Sequence, residues 1–190
     1  MGDFMNAVKD HIQEGLEQAV KFRSSIYKVN QKNAFGVDLN LAAEHLSRIV
    51  NFGKEIAIIE TDLSDIKDSE LGEISGYTSF KKDRIYIIVN ENDTSYRKRF
   101  TVAHELGHIF MGDLTEENSC FFRSQAIKTS VNKEYIKIEQ RANAFASELL
   151  MPTKEVEYLI QKGFTTEKLA VIFGVSFSAM RTKVGIIFGY

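Results

Sequence analysis

Residues 99–108 read Arg-Phe-Thr-Val-Ala-His-Glu-Leu-Gly-His, and this stretch decides how the rest of the chain is interpreted. Positions i and i+4 of an α-helix lie on the same face, so His104 and His108 can direct their rings at one metal ion. Glu105 is rotated to one side, where its carboxylate can reach a water molecule that the ion activates. This spacing of two histidines and a carboxylate is typical of a zinc peptidase.

The flanking sequence predicts the helix that this spacing requires. Residues 93–95 are three candidate N-caps and Gly112 is a candidate stop, so we expect a helix over 95–111. Gly107 inside that helix costs about 1 kcal/mol relative to alanine, which indicates that another element approaches the backbone there. The competing interpretation is that the two histidines are ordinary amphipathic side chains and the glutamate a solvated charge.

A catalytic zinc ion usually takes three protein ligands and leaves a fourth position open. The metzincin pattern is excluded, because Met111 and Leu114 stand where it requires glycine and histidine. A second helix is predicted over 133–150, and its inward face is marked by Ile138, Ala142, Phe145 and Leu149. The third ligand is therefore sought on this helix.

Glu139 is the predicted third ligand, because it lies beside the inward face of the second helix. Glu148 lies about 180° further around that helix and is expected to be structural or surface-facing. Asn143, one turn after Glu139, is predicted to hydrogen-bond a ligand and fix its orientation. A simple hydrogen bond between helices is the alternative role for this amide.

At this point two runs resemble the signature blocks of the ImmA/IrrE family of metallopeptidases. The first is 99–108, and the second spans 139–152 as Glu-x-x-Ala-Asn-x-Phe-Ala-x-Glu-Leu-Leu-Met-Pro. A third run, 169–183, is similar to the C-terminal helical segment of that family, although an arginine is more usual near its end. The resemblance extends from about Arg84 to the C-terminus and leaves the first eighty residues weakly matched.

The resemblance implies a gluzincin-like site in which Glu139 joins His104 and His108 around one zinc ion, with Glu105 as the general base. It also implies a selective cytoplasmic endopeptidase whose protein substrate is a helix-turn-helix repressor of the XRE or cI type. Such repressors often belong to a phage, a mobile element or a stress regulon, and their cleavage regulates transcription. A competing hypothesis is a non-catalytic regulator or toxin-antitoxin component that binds a protein or DNA and keeps the metal for its fold.

The pattern of apolar residues predicts an α+β fold with a small mixed sheet packed on helices. The resemblance implies that residues 1–152 form a zincin-like peptidase domain. The segment 115–132 has no clear period and is expected to be a long loop or short strands. Besides the two helices above, the predicted elements are helices over 4–22 and around 39–50 and strands over 55–61, 73–79 and 84–90.

The strand over 84–90 ends a few residues before the first histidine helix, where zinc peptidases commonly have an edge strand that binds the substrate. We therefore predict contacts between the substrate and Arg84, Ile85, Tyr86, Ile87, Ile88, Val89 and Asn90. An interior strand is the alternative, because apolar residues occur on both of its faces. The candidate donors to the oxyanion are Tyr77, Tyr86 or a group further along the chain, and spacing alone selects none of them.

Residues 153–190 are predicted to form a small helical subdomain with a helix-turn-helix pattern. Its helices run from 166 to 173 and from 177 to about 184, and they are joined by a short turn. Direct DNA binding is not expected, because the second helix offers only Arg181 and Lys183 to phosphates. The alternative is a helical cap packed on the peptidase core through Leu169, Phe173, Val175 and Met180.

Composition indicates an intracellular protein without membrane association. Lysine and arginine total 24 and aspartate and glutamate 26, so the formal charge is −2 and no basic patch for nucleic acid is expected. Cys120 is the single cysteine, which excludes an internal disulfide, and the N-terminal residues lack an export pattern. The apolar run 85–89 is far too short to span a bilayer. The cytoplasm is the predicted compartment.

Overall fold

The computed structural model describes residues 2–29, 36–50, 53–68, 72–114, 121–124 and 133–189, and these residues form helices and a mixed sheet. The predicted α+β class is confirmed. The elements are α1 (Gly2–Val29), α2 (Leu39–Ile49), β1 (Glu55–Thr61), β2 (Lys67–Asp68), β3 (Gly72–Phe80), β4 (Arg84–Asn90), α3 (Ser95–Met111), β5 (Phe121–Ser124), α4 (Lys133–Leu150), α5 (Thr153–Gln161), α6 (Thr166–Phe173) and α7 (Phe177–Phe188).

Capping interactions explain the bounds of α3, which match the predicted helix. The Thr94 side chain accepts a hydrogen bond from the backbone N–H of Arg97, so Thr94 is the cap among the three candidates. Gly112 ends the helix with φ of 73°, a left-handed conformation that glycine adopts without steric cost. Helix α1 is longer than predicted, because its buried face continues through Ile26.

The sheet has the order β1-β4-β3-β2, and β5 also pairs with β3. Strand β4 is parallel to β1 and antiparallel to β3, so it has a partner on each side. The prediction of an edge strand over 84–90 is therefore wrong. The backbone groups of β4 already form hydrogen bonds with two neighbours, and a substrate has no free edge there.

One face of the sheet packs on α3 and forms the centre of the core. Ile85, Ile87 and Val89 are fully buried in a cluster that also contains Leu106 of α3. Phe145 of α4 belongs to the same cluster. The sheet and α4 thus hold the motif helix from different directions.

The buried apolar residues of α6, α7 and the turn between them belong to this core cluster as well. They include the four residues through which a helical cap would pack on the core, namely Leu169, Phe173, Val175 and Met180. The segment with the helix-turn-helix pattern is therefore part of the packing of the hydrophobic core. Among the described helices none is both long and apolar enough to cross a membrane alone, although α6 and α7, bent by 115°, meet the length and composition test as a pair.

A buried ion pair joins α4 to α7. The ammonium group of Lys183 donates to Oε2 of Glu148 at 2.7 Å, and both side chains are almost completely buried. The backbone N–H and hydroxyl of Thr153 also donate to this carboxylate. Of the two alternatives for Glu148, the structural one holds, and Lys183 is not available to a phosphate.

Candidate metal centre

Three side chains from two helices converge inside the protein. Nε2 of His104 lies 2.9 Å from Nε2 of His108, and the two oxygens of Glu139 lie 3.3 and 3.2 Å from these nitrogens. All three residues are buried. The structure brings together the three ligands proposed from the sequence, although α3 and α4 are separated along the chain by more than twenty residues.

The donor set fits a metal ion. Donors about 2.0–2.1 Å from a shared tetrahedral zinc ion lie about 3.3 Å from one another, which is close to the observed separations. Two imidazoles and one carboxylate are a common ligand set of catalytic zinc, and three protein ligands leave a position open. A bound cation would also offset the free-energy cost of burying the negative charge of the carboxylate between the two imidazoles.

Hydrogen bonds at the far side of each ring fix the orientation of the histidines. The Nδ1–H group of His104 donates to Oδ1 of Asn143 at 3.1 Å, which is the contact predicted for this amide. The Nδ1–H group of His108 donates to Oδ2 of Asp113 at 3.0 Å. With the Nδ1–H groups directed at these partners, Nε2 is the nitrogen of each ring that faces the common centre.

Asp113 was not found by sequence reasoning. It follows the C-cap of α3 and lies in neither signature run, so no periodic pattern marks it. Its position directly after a left-handed glycine could have served as a signal. The left-handed residue Gly112 reverses the chain and returns the next side chain to the last turn, where the second histidine of the motif lies.

The Glu105 carboxylate is held by the sheet. Oγ1 of Thr78 in β3 donates to Oε2 of Glu105 at 2.7 Å, and neither side chain is exposed. Thr78 is a second residue that sequence reasoning missed, because strand alternation shows which face it occupies but not what it contacts. Glu105 thus has a fixed rotamer on the side of α3 that faces the sheet.

Electrostatic interactions within the cluster are strong in the metal-free protein. Burial lowers the pKa of the His108 imidazole, but hydrogen bonds with Asp113 and Glu139 and the charges of Glu139 and Glu105 raise it to about 10. Burial raises the pKa of Glu139, but hydrogen bonds with both histidines and their charges hold it well below its usual range. His108 and Glu139 therefore form a buried ion pair, in which the imidazole is protonated and the carboxylate is ionised.

Gly107 brings α4 close to α3. A Cβ atom at this position would lie 2.9 Å from Cδ1 of Phe145 and 3.1 Å from its Cγ. The close approach expected from a glycine inside the motif helix is therefore made by the side chain of Phe145. Phe145 lies on the same helix as Asn143 and Glu139, two residues after the first and six after the second. Its contact with Gly107 therefore sets the distance between α3 and α4.

Neither tyrosine proposed as an oxyanion donor faces the metal cluster. Thr78 contacts Glu105, and successive side chains of a strand point to opposite faces, so Tyr77 points away from α3. Tyr86 lies between the buried Ile85 and Ile87 along β4 and has the same orientation as Tyr77. The proposal of Tyr77 or Tyr86 as the donor is therefore wrong.

Tyr135 lies near the metal cluster, and sequence reasoning did not name it as a candidate. It lies one helical turn before Glu139 on α4 and forms a side-chain hydrogen bond with it. Burial raises the pKa of the Tyr135 hydroxyl, and the negative charges of Glu139 and Glu105 raise it further. The hydroxyl therefore keeps its proton and can act as a hydrogen-bond donor beside the cluster.

Comparison with known families identifies the class of protein to which this arrangement belongs. Residues 54–184 match the profile of the Peptidase M78 family, described as the IrrE N-terminal-like domain. The chain belongs to this family. The resemblance to ImmA/IrrE proteins that the signature runs carry is thus confirmed, and membership of the M78 family implies a metal at this site.

Relatives in the M78 family include a phage protein and a bacterial peptidase. Uncharacterized immunity region protein 2 of Bacillus phage phi105 is 34% identical over 103 residues, which are 54% of this chain and 61% of that protein. Metallopeptidase ImmA of Bacillus subtilis (strain 168) is 28% identical over 112 residues, which are 58% of this chain and 62% of that protein. The matched part thus spans about three fifths of the length of these relatives.

A solved structure has a fold similar to that of this M78 family member. The Mycobacterium tuberculosis transcriptional regulator aligns with a TM-score of 0.57 and 16% identity, over 96% of this chain and 51% of that chain. At this level of identity the likeness concerns the fold alone.

Proposed function

We propose that this protein is a zinc-dependent endopeptidase that cleaves a helix-turn-helix repressor of the XRE or cI type in the cytoplasm. The observation that carries the proposal is the convergence of the His104, His108 and Glu139 donor atoms, with Glu105 next to His104 on the same helix and held by Thr78. A structural metal site needs no carboxylate beside an open position, so the oriented Glu105 favours catalysis over the non-catalytic alternative.

The two histidines and Glu139 would hold the metal ion through Nε2 of each ring and the carboxylate. When bound, zinc lowers the pKa of water from 15.7 to about 7 and polarises the scissile carbonyl. Asn143 and Asp113 keep each imidazole in the tautomer whose Nε2 is available as a ligand. These hydrogen bonds thus orient the two imidazoles for metal binding.

Glu105 is the proposed general base. Its Oε2 accepts the Thr78 hydroxyl hydrogen bond, which holds the carboxylate while a proton moves to it from the attacking water. The same carboxylate then delivers the proton to the nitrogen of the departing amine. Proton transfer by a positioned side chain typically contributes a factor of about 10² to 10⁴ in rate.

Tyr135 is the proposed donor to the developing oxyanion. Its protonated hydroxyl lies beside Glu139, and the nearby charges of Glu139 and Glu105 favour the neutral phenol. A donor aimed at charge that develops in the transition state is commonly one of the largest contributions to catalysis. On this proposal the Tyr135 hydroxyl would donate its hydrogen bond to the substrate oxygen on which negative charge develops.

The substrate class rests on the relatives and not on a pocket of this chain. One relative is named for the immunity region of a phage and another is named Metallopeptidase ImmA. The resemblance to the ImmA/IrrE family implies a repressor of the helix-turn-helix type, and this is the protein substrate that we propose. The C-terminal helices are proposed to pack on the peptidase and not to bind DNA, because Lys183 is buried against Glu148.

The proposal is tested by incubating the purified protein with a repressor encoded beside it, with and without a chelator. Cleavage at one site, its loss with chelator and its return with zinc are the expected results. The Glu105→Gln variant serves as the matched control, because it should bind metal and not cleave. Binding of the repressor without cleavage by the metal-loaded protein would instead support the non-catalytic regulator.

A further inference from the structure

A line of charged side chains runs from the metal cluster to the N-terminal helix. Oδ2 of Asp113 accepts from the His108 ring, and Oδ1 of the same carboxylate accepts from Nη2 of Arg141 on α4. Nη1 of Arg141 donates to Oε1 of Glu14 on α1 at 2.8 Å. We call Asp113, Arg141 and Glu14 the relay residues.

The inner relay residues are removed from solvent. The side chain of Asp113 is 3% exposed and that of Arg141 15%. A buried carboxylate is costly unless it is paired, so Arg141 stabilises Asp113 in the position where it accepts from His108. The planar guanidinium directs two nitrogens to two different carboxylates, and a lysine cannot reproduce this geometry.

Helix α1 approaches α4 at the point where the relay reaches it. A Cβ atom at Gly15 would lie 2.2 Å from the backbone carbonyl oxygen of Arg141 and 3.0 Å from Cβ of Ala144. The glycine therefore allows Glu14 to meet the guanidinium. Helix α1 ends before residue 54, so it lies outside the part of the chain that matches the family profile.

We infer that the relay residues are positioning residues that set the metal affinity of His108, and that α1 is in this way part of the metal centre. The inference rests on the proposed function only in that the metal binds at the same three ligands. Partners of ligand side chains typically change metal affinity by about 10- to 100-fold when they are replaced.

The test measures zinc affinity of the full chain by competition with a chromophoric chelator, and the visible spectrum of the Co²⁺-loaded protein. Asp113→Asn and Arg141→Ala are expected to weaken zinc binding about 10- to 100-fold and to change the Co²⁺ spectrum. Arg141→Lys should weaken it less, because it keeps the charge. Glu14→Gln should weaken it least, because Glu14 is partly exposed and solvent screens its charge, and an unchanged affinity in this variant would overturn the part assigned to α1.

Arg23→Ala is the matched control. Arg23 is also a buried arginine, and its Nη1 donates to the backbone carbonyl of Leu149 on α4, but it has no link to His108. This variant should lose stability without loss of zinc affinity or change in the Co²⁺ spectrum. The comparison separates positioning of the ligand from support of the helix α4.

The outcomes are distinguishable from those of the proposed function. If the unmodified protein binds no zinc, the proposed function fails. If it binds zinc, but Arg141→Ala matches Arg23→Ala in affinity and spectrum, the relay inference is overturned and the proposed function stands. If Arg141→Ala does not fold, the Arg141→Lys and Asp113→Asn variants are measured in its place. Unchanged zinc affinity and an unchanged Co²⁺ spectrum in both variants would overturn the inference.

Discussion

The Thr78 hydroxyl donates a 2.7 Å hydrogen bond to the Glu105 carboxylate, and both side chains are completely buried. The two residues are 27 positions apart and belong to different layers of the fold. A strand of the sheet thus fixes the rotamer of the base on the motif helix. This contact gives the motif a geometric requirement that the His-Glu-x-x-His pattern alone does not contain.

Replacing Glu105 by glutamine should remove turnover and leave the metal bound. The amide has nearly the shape of the carboxylate but cannot accept the proton from water, so kcat should fall by about 10² or more. The rate of repressor cleavage and the zinc content are measured on the same preparation. Normal cleavage by the Gln variant would show that another group is the base.

Replacing Thr78 by valine should lower kcat and leave zinc affinity unchanged. Valine removes the hydroxyl while nearly keeping the shape, so the Glu105 carboxylate loses a partner and its fixed orientation. Steady-state kinetics should show a change in kcat with little change in KM. The Thr78→Ser variant keeps the hydroxyl and should retain most of the activity, and equal losses in both variants would contradict an orienting role.

Replacing Tyr135 by phenylalanine should reduce kcat by about 10- to 1000-fold if its hydroxyl stabilises the oxyanion. The phenyl ring keeps the packing of α4, so thermal stability should change little. Cleavage rates of Tyr135→Phe and of Tyr86→Phe are the measurement, and the second serves as the control because Tyr86 faces away from α3. Equal activity of Tyr135→Phe and the unmodified protein would exclude the hydroxyl as the donor.

Replacing Lys183 by methionine should strongly destabilise the fold. Removal of one partner of a buried ion pair leaves the other charge uncompensated, which costs about 3–5 kcal/mol. Urea unfolding measures the free energy of unfolding, and Arg181→Met on the exposed side of the same helix should change it by no more than about 0.5 kcal/mol. The double variant Lys183→Met with Glu148→Gln should recover part of the loss, and a stable single variant would contradict this account.

Binding of zinc at pH 8 should release about one proton from His108, because a ligand imidazole must be neutral at Nε2. The pKa of this ring is about 10 in the metal-free protein, so it is protonated at pH 8. Calorimetry in buffers of different ionisation enthalpy counts the released proton. The raised pKa stabilises the metal-free fold fully below the unfolded pKa of about 6.5, and this contribution is lost as the pH rises through about 10.

Absence of proton release at pH 8 would contradict this protonation state. The Asp113→Asn variant is the matched control. It removes one of the interactions that raise the pKa of His108, so it should release fewer protons at the same pH.

Local patterns were sufficient for the elements that carry the candidate site. The bounds of α3 follow from a capping threonine and a left-handed glycine, and the helical period places His104 and His108 on one face. The same period placed Glu139 and Asn143 on the side of α4 that faces them. Such features involve residues within a few positions of one another, where backbone geometry alone fixes which side chains are neighbours.

The order of strands in the sheet was decided by tertiary structure. The sequence of 84–90 is equally compatible with an edge strand and an interior strand, and pairing with β1 and β3 selects the interior position. The two tyrosines were misplaced for the same reason. Strand alternation shows that neighbouring side chains lie on opposite faces of the sheet. Only the packing of α3 decides which of the two faces is next to the site.

The sequence by itself determined the two histidines, the base between them and the helices that present them, because these depend on spacing within single elements. Only the tertiary structure decided that Thr78 holds Glu105, that Lys183 is buried, and that Glu14 reaches Arg141 across 127 positions of the chain. Contacts between distant segments depend on how whole helices and strands pack. No local period of apolar residues encodes which charged side chain that packing brings to which partner.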